Sequence, residues 1–309
     1  MLINPCSWGV RHGFLPALHA VLEDASSHVP RVYAWNPATF ASALDRLAAS
    51  GVQVLLVVGG DGTVQGVVSA LFQGHGAGIE ALSLLRGGRT NVTAAQVGAR
   101  GRAVSSLNLL LHWERQGWPR PQQHALPTLC VSWGREVSYG FLLLGGGLVQ
   151  AVEACRAFRE QGNMPALDGV LGTAFWFSRE LLRVALGDGV LRPIRGTLFG
   201  IHPDPRNYAI MVATTLPNWP TRVKATGMRV GWVTGSGLQL LGAMGRALAG
   251  KGAGHHFGWV EQEWVGMTQT GKQGHFLLDG EPVGTGRPGE VLQVQVGPAV
   301  QFLQMHSPP

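Results

Sequence analysis

The chain has 309 residues, of which 45% are hydrophobic and 14% are charged, and its net charge is +6. This hydrophobic content is enough for an extensive core, and the length predicts roughly two globular domains rather than one. The arginines are scattered rather than gathered into a basic run, which argues against a nucleic-acid-binding protein, and the three cysteines have neither disulfide nor zinc spacing.

Short apolar strands alternate with amphipathic helices through the first 100 residues. The strands are expected at residues 1–4, 31–35, 52–58 and 80–86, and the helices between and after them at 14–26, 36–51, 64–72 and 91–98. The second helix has Asn36 as an N-cap, Pro37 in its first turn and Gly51 beyond its end. The order βαβαβαβα, with strands apolar on both faces, predicts an α/β fold with a doubly wound parallel sheet.

Three polar loops follow the first, third and fourth of these strands. They read NPCSWG at residues 4–9, GGDGT at 59–63 and GGRTN at 87–91. In a doubly wound sheet such loops gather at the carboxyl ends of the strands, where ligands bind. A glycine loop that opens a helix also lets a phosphate reach the unpaired amides of the first turn. The sequence therefore predicts a phosphate site here.

Asp61 is the unusual member of the second loop. No lysine follows the glycines and the spacing is not G-x-G-x-x-G, so neither a Walker A nor a Rossmann loop fits. A carboxylate beside a phosphate cradle repels the ligand unless a cation intervenes, so Asp61 indicates Mg²⁺ and a nucleotide. The alternative is that Asp61 caps the helix that follows it.

The pattern changes beyond residues 114–127, a stretch rich in Pro, Gln and Arg. Strand-like runs dominate from there, interrupted by helical periodicity at 148–161 and 170–186. The predicted domains are an α/β domain at 1–125, a mostly β domain at 126–297, and a final strand at 298–309 that returns to the first domain. No apolar run reaches the roughly 18 residues of a membrane span, so we expect a soluble or membrane-peripheral cytoplasmic protein.

Five segments together resemble the diacylglycerol kinase catalytic-domain family, which includes sphingosine kinases and bacterial YegS-like lipid kinases. They are LINPCSWG at 2–9, VVGGDGTV at 57–64, LRGGRTNVTAAQVG at 85–98, FLLLGGGLVQAVEACRAFREQG at 141–162 and LLDGEPV at 277–283. GGDGT alone is shared with NAD kinases. The order and spacing of all five make the resemblance specific.

The resemblance implies an ATP-dependent lipid kinase that transfers the γ-phosphate to a diacylglycerol-like or sphingoid hydroxyl. It implies ATP and Mg²⁺ as cofactors, a β-sandwich second domain, a membrane lipid as substrate and peripheral contact with the membrane. Asp61 would bind Mg²⁺ through water, and Asp279 would be the general base, supported by Glu281. The implied nucleotide-binding residues are Asn4, Ser7, Gly59, Gly60, Asp61, Gly62, Thr63, Gly88, Arg89, Thr90 and Asn91.

The chain departs from the family pattern in two places. Arg86, Arg89 and Val92 stand where the family has Pro, Thr and Asp, and the acidic stretch that holds a structural Mg²⁺ in many bacterial members is missing from residues 214–227. These departures leave open a catalytically degenerate nucleotide- or lipid-binding protein on the same fold. The glycine loop shared with NAD kinases leaves open an NAD kinase-like enzyme. Apart from the resemblance, Asp279 and the glycine after it are typical of a two-residue hairpin turn.

Overall fold

The computed structural model describes residues 1–24, 29–99, 103–116, 123–160, 179–180, 183, 192–217, 227–235, 242, 256–270, 275–284, 287 and 289–303. Most of the helix predicted at 170–186 and most of the stretch 214–227 lie outside these residues. The chain divides into two compact units, Met1–Pro127 with Pro298–Pro309, and Thr128–Gly297. These divisions fall close to residues 125 and 297, where the sequence places the domain boundaries.

The first unit contains a parallel sheet with helices on its two faces. Its strands are β1 (Leu2–Ile3), β2 (Val32–Tyr33), β3 (Val54–Gly59) and β4 (Ala81–Arg86), and its helices are α1 (Leu15–Asp24), α2 (Pro37–Ala49), α3 (Asp61–Phe72), α4 (Val92–Gln96) and α5 (Ala103–Gln116). The strand order is β2-β1-β3-β4, all parallel, and Phe302 near the carboxyl end of the chain pairs in parallel with Leu82 of β4. Helix α1 contacts α5, and α2 contacts α3. The predicted doubly wound parallel sheet is confirmed.

This strand order places the topological switch point between β1 and β3. The chain leaves β1 toward β2 on one side, whereas β3 lies on the other side of β1. Open α/β sheets bind ligands at such a point, beyond the carboxyl ends of the strands. The loops that follow β1 and β3 are therefore the expected ligand-binding loops.

Helix α2 shows why the sequence of this unit is specific for its fold. The side chain of Asn36 accepts a hydrogen bond from the amide of Thr39, and the threonine hydroxyl accepts one from the amide of Asn36, which forms a capping box. Phe40 on the buried face of α2 packs against Gly66 of α3, where any side chain would collide with the aromatic ring. The two helices thus pack closely because α3 has a glycine at the contact.

The second unit is rich in antiparallel strands, as predicted. Strand β5 (Gln123–Trp133) leads into it, and its other elements are β6 (Glu136–Gly140), β7 (Leu142–Gly145), α6 (Gly147–Glu160), β8 (Ile194–Phe199), β9 (His202–Thr214), β10 (Met228–Thr234), β11 (Phe257–Gln262), β12 (Trp264–Thr270), β13 (Phe276–Leu278) and β14 (Glu281–Val283), with β15 (Leu292–Leu303) leaving it. The strands are ordered β14-β13-β7-β9-β8-β12-β15. A core of fully buried side chains that includes Tyr208, Met211, Val265 and Phe276 lies against them.

The described helices include none that combines the length and the apolar composition needed to span a membrane.

Candidate active site

The three polar loops of the first unit pack against one another backbone to backbone. The amide of Gly87 donates to the carbonyl of Gly59 at 2.9 Å, and the amide of Gly9 donates to the carbonyl of Gly87 at 2.8 Å. A Cβ atom on Gly88 would lie 2.5 Å from the Cα atom of Gly60. Only glycine permits this approach, which explains why a glycine pair stands at the end of β3 and another follows β4.

Two predicted site residues join the first loop to the others. The side-chain amide of Asn4 donates to the hydroxyl of Thr63 at 2.8 Å, and both side chains are buried. The hydroxyl of Ser7 donates to the carbonyl of Gly87 at 2.7 Å. Gly59 has no room for a side chain, because a Cβ atom there would lie 2.5 Å from the side chain of Thr63. These groups therefore hold the loops in place.

The carboxylate of Asp61 caps a helix, but not the helix that follows it in sequence. Helix α3 has Gly60 as its N-cap and no side-chain capping bond. One carboxylate oxygen of Asp61 accepts from the hydroxyl of Thr90 at 2.9 Å and from the amide of Val92 at 3.1 Å, and the other accepts from the amide of Thr93 at 2.9 Å. Asp61 thus supplies the N-terminal acceptor for α4 and ties the second loop to the third.

Asn91 closes the third loop on itself. Its backbone is left-handed, with φ of 49°, a conformation that Asn tolerates better than most residues. Its side-chain oxygen accepts from the amide of Gly88 at 2.7 Å, and its side-chain nitrogen donates to the carbonyl of Gly88 at 2.8 Å. The backbone of Gly88 is thereby fixed against the second loop.

The start of α3 is the part of this assembly that suits an anion. Gly60, Asp61 and Gly62 are only half-buried. The first amides of a helix generally lack intrahelical acceptors, although here the amide of Thr63 donates to the carbonyl of Gly60 at 3.0 Å. The helix dipole adds partial positive charge at the same place. The loops therefore present backbone donors and no bulky side chain where a phosphate would bind.

The remaining predicted residues lie in the second unit, on the hairpin of β13 and β14. Asp279 and Gly280 form its two-residue turn, with φ of 50° and 91°, so the hairpin interpretation of this pair describes the structure. The carboxylate of Asp279 accepts from the amides of Phe141 and Leu142, both at 2.9 Å. Glu281 begins β14 and is exposed.

Helix α6 supports this hairpin at two points that sequence reasoning missed. The guanidinium of Arg156 donates to the carbonyl of Gly280 at 2.9 Å. One turn earlier, the carboxylate of Glu153 lies 2.7 Å from the Nε2 atom of His275, just before β13. The spacing of three residues between Glu153 and Arg156 puts both on one face of α6. That spacing was visible in the sequence, but their targets were not.

The comparisons with known proteins agree with the loops described above. Residues 1–117 match the family model described as Diacylglycerol kinase catalytic domain. The resemblance predicted from the loops is therefore confirmed for this segment. The hairpin of Asp279 lies outside it. No protein of curated function matches the chain by sequence.

Among solved structures, the chain is similar to proteins of Bacillus anthracis str. Sterne. A provisionally assigned diacylglycerol kinase has a TM-score of 0.63 and 14% identity, with 98% of this chain and 96% of that chain covered. A second structure, described as a diacylglycerol kinase, has a TM-score of 0.58 and 11% identity, with 98% and 95% covered. At these identities the likeness shows the fold. An NAD kinase from Archaeoglobus fulgidus in complex with ATP is less similar, with a TM-score of 0.49 and 9% identity, and with 98% of this chain and 92% of that chain covered.

Proposed function

We propose that the protein is an ATP-dependent lipid kinase that transfers the γ-phosphate to a hydroxyl of a diacylglycerol-like or sphingoid lipid. One observation carries the proposal. The three loops that contact one another around the start of α3 all lie in residues 1–117, the segment that matches the diacylglycerol kinase catalytic domain. Phosphoryl transfer depends on positioning and charge stabilisation more than on covalent chemistry, which is what glycine loops at a helix start provide.

In this proposal the phosphates bind the first amides of α3, those of Asp61 and Gly62, beside the packed glycines of the second and third loops. Asn4, Ser7 and Thr63 act by fixing loop positions, because their polar atoms bond to other loop atoms. Thr90 and Asn91 act in the same way on the third loop. Arg89 is the one member of the predicted set that supplies a full positive charge.

The carboxylate of Asp61 suits a metal ion that arrives with the nucleotide. Asp61 already accepts three hydrogen bonds, which leaves about one of the four lone-pair positions of its carboxylate. No group of three or more His, Cys, Asp or Glu side chains that could hold a metal occurs within the described residues. Mg²⁺ bound with the nucleotide neutralises phosphate charge. Asp61 would reach it through water with its remaining lone pair.

Asp279 is proposed as the acceptor of the proton from the lipid hydroxyl. Two backbone amides fix the orientation of its carboxylate, and the tight turn fixes its backbone. A carboxylate within hydrogen-bonding reach of the hydroxyl is the ordinary general base for such a transfer. Glu281, two residues later and exposed, would add negative charge near that base.

The lipid acceptor and the peripheral membrane contact rest on the family resemblance. The second unit adds one supporting feature, because Phe199 and Trp264 are exposed on it and are 37% and 42% accessible to solvent. The indole of Trp264 is amphipathic and therefore favours a membrane interface, and Phe199 adds exposed apolar area.

The test is turnover of radiolabelled Mg-ATP with vesicles that contain diacylglycerol, sphingosine, ceramide or phosphatidylglycerol. We expect one lipid to be phosphorylated, and Asp279→Asn to reduce the rate at least about 100-fold, as expected for loss of a general base. Asp204→Asn, which removes an exposed carboxylate of the same unit, should leave the rate unchanged. Absence of any phosphorylated lipid would contradict the proposal, and phosphorylation of NAD alone would replace it with the NAD kinase-like alternative.

The degenerate alternative also has a specific observation in its favour. The carboxylate of Asp61 is committed to α4, and Arg89 stands where the family has a small neutral residue. A protein of this kind would bind nucleotide without transferring phosphate. Nucleotide binding together with lipid turnover that Asp279→Asn abolishes would exclude it.

A further inference from the structure

A stack of three side chains stands beside the glycine loops. The guanidinium carbon of Arg89 lies 5.5 Å from the centre of the Trp8 ring. The ring of His12 stacks on Trp8, with ring centres 5.1 Å apart and an angle of 23° between the planes. Trp8 follows β1 and Arg89 follows β4, so the stack joins the first loop to the third.

The backbone on both sides of this stack is fixed. Ser7 and Gly9, the neighbours of Trp8, both bond to the carbonyl of Gly87. The carbonyl of Trp8 itself lies 2.8 Å from the Nδ1 atom of His12, which donates to it in the matching tautomer. The indole therefore has a defined position, and a planar guanidinium is the cation best suited to lie on it.

The residues on both sides of Arg89 contact the start of α3. Its preceding residue, Gly88, packs against Gly60, and its following residue, Thr90, donates to the carboxylate of Asp61. In the described part of the chain no carboxylate forms an ion pair with Arg89. A half-buried arginine whose sequence neighbours contact the start of a helix, and which pairs with no carboxylate among the described residues, is suited to an anion.

We infer that Arg89 binds the phosphate chain of the nucleotide and that Trp8, with His12 behind it, is the residue that positions Arg89 for this contact. This inference rests on the proposed function. Arg89, which departs from the family pattern, is thereby assigned to phosphate recognition. Trp8 is assigned the role of orienting the guanidinium of Arg89. Trp8 therefore does not serve as a platform for the base.

The expected effects follow from the chemistry of each contact. A charge-assisted bond to phosphate is worth more than a neutral one, so Arg89→Gln should weaken Mg-ATP binding by roughly tenfold or more. Loss of a partly exposed cation–π contact should cost about threefold in Trp8→Leu. Trp8→Phe keeps an aromatic face and should bind nearly as the native chain does. Arg89→Lys keeps the charge but not the planar fork, and should be intermediate.

The experiment is calorimetric titration of the full chain with Mg-ATP, inorganic tripolyphosphate and adenosine. Arg89→Gln and Trp8→Leu should weaken ATP and tripolyphosphate alike, and adenosine should be unaffected by either. Arg46→Gln is the matched control, because Arg46 is exposed in the last turn of α2, at the opposite edge of the sheet, and it should bind as the native chain does. In the Arg89→Gln background, Trp8→Leu should have no further effect, since its role is to orient the guanidinium.

Each result separates the inference from the proposed function. A native chain that binds neither ATP nor tripolyphosphate contradicts both. ATP binding that Arg89→Gln leaves unchanged contradicts the inference alone. Additive losses from Trp8→Leu and Arg89→Gln would show that Trp8 acts independently of Arg89 and would contradict its positioning role. Loss of adenosine binding in Trp8→Leu would make the indole a base platform and overturn the assignment.

Discussion

Replacement of Asp61 by Asn is expected to destabilise the first unit even when no nucleotide is bound. The carboxylate accepts bonds from the hydroxyl of Thr90 and from the amides of Val92 and Thr93. An Asn side chain has one oxygen, so it keeps at most the two bonds made by one carboxylate oxygen. In that orientation its NH₂ group faces the amide of Thr93, a buried residue, and leaves that amide without an acceptor.

The magnitude follows from these three bonds. An amide left without its partner costs about 1–3 kcal/mol, and the conversion of two charge-assisted bonds to neutral ones costs roughly 0.5 kcal/mol each. The expected loss in the free energy of unfolding is therefore about 2–4 kcal/mol. Thr90→Val removes a single bond and should cost about 1 kcal/mol, whereas Thr90→Ser keeps the hydroxyl and should cost less.

Two measurements check this prediction. Urea unfolding of the native chain and the variant gives the change in stability, and hydrogen exchange over residues 88–97 reports the α4 amides directly. Asp204→Asn is the control, because Asp204 is exposed on β9, and its effect should stay within about 0.5 kcal/mol. If Asp61→Asn left both the unfolding midpoint and the exchange unchanged while Mg-ATP binding fell, the carboxylate would serve the metal and the reasoning from α4 would be refuted.

Three further predictions concern other parts of the two units. Gly88→Ala places a Cβ atom 2.5 Å from the opposing loop and should cost about 1–3 kcal/mol in urea unfolding, whereas Gly227→Ala, which meets no atom within 4 Å, should not. Burial raises the pKa of Tyr208 to about 12 from 10.0. The unfolded chain loses this proton at lower pH, so the free energy of unfolding should fall as pH rises from about 10 toward 12. Tyr208→Phe should remove this fall from the plot of stability against pH, and should remove the last step of the absorbance titration. Arg156→Met removes the bond to the carbonyl of Gly280 and should speed hydrogen exchange in the hairpin of β13 and β14 without changing exchange in α3. Hairpin exchange as slow as in the native chain would contradict the support assigned to α6.

The strands and loops of the first unit were predictable because their signals are local. The apolar run that ends at Gly59, the capping pair of Asn36 and Thr39, and the change from strand to glycine loop all lie within a few residues of one another. Parallel pairing then brings the carboxyl ends of neighbouring strands to one edge. The gathering of the three loops follows from the strand order rather than from any single motif.

The targets of the polar side chains were not predictable in the same way. About thirty residues separate Asp61 from the amides that it caps, so a local rule assigns its carboxylate to α3 and misses α4. The stack of Trp8 and Arg89 joins loops that are eighty residues apart. No periodicity records such contacts, because they depend on how the crossover helices place the strands. The order of the loops was visible in the sequence, and their bonding was not.

Asp279 shows how a structural and a chemical role coincide in one residue. Asn would satisfy the left-handed turn as well as Asp does, but only a carboxylate can accept from the amides of both Phe141 and Leu142 with separate oxygens. The two hydrogen bonds that hold the hairpin are therefore one reason for an Asp at residue 279, apart from any role in catalysis. A fall in turnover in Asp279→Asn supports a general base only if hydrogen exchange at residues 140–142 is unchanged and the KM for the lipid stays near its native value. If exchange rises together with KM, the loss of rate follows from a displaced hairpin, and the base must be sought elsewhere.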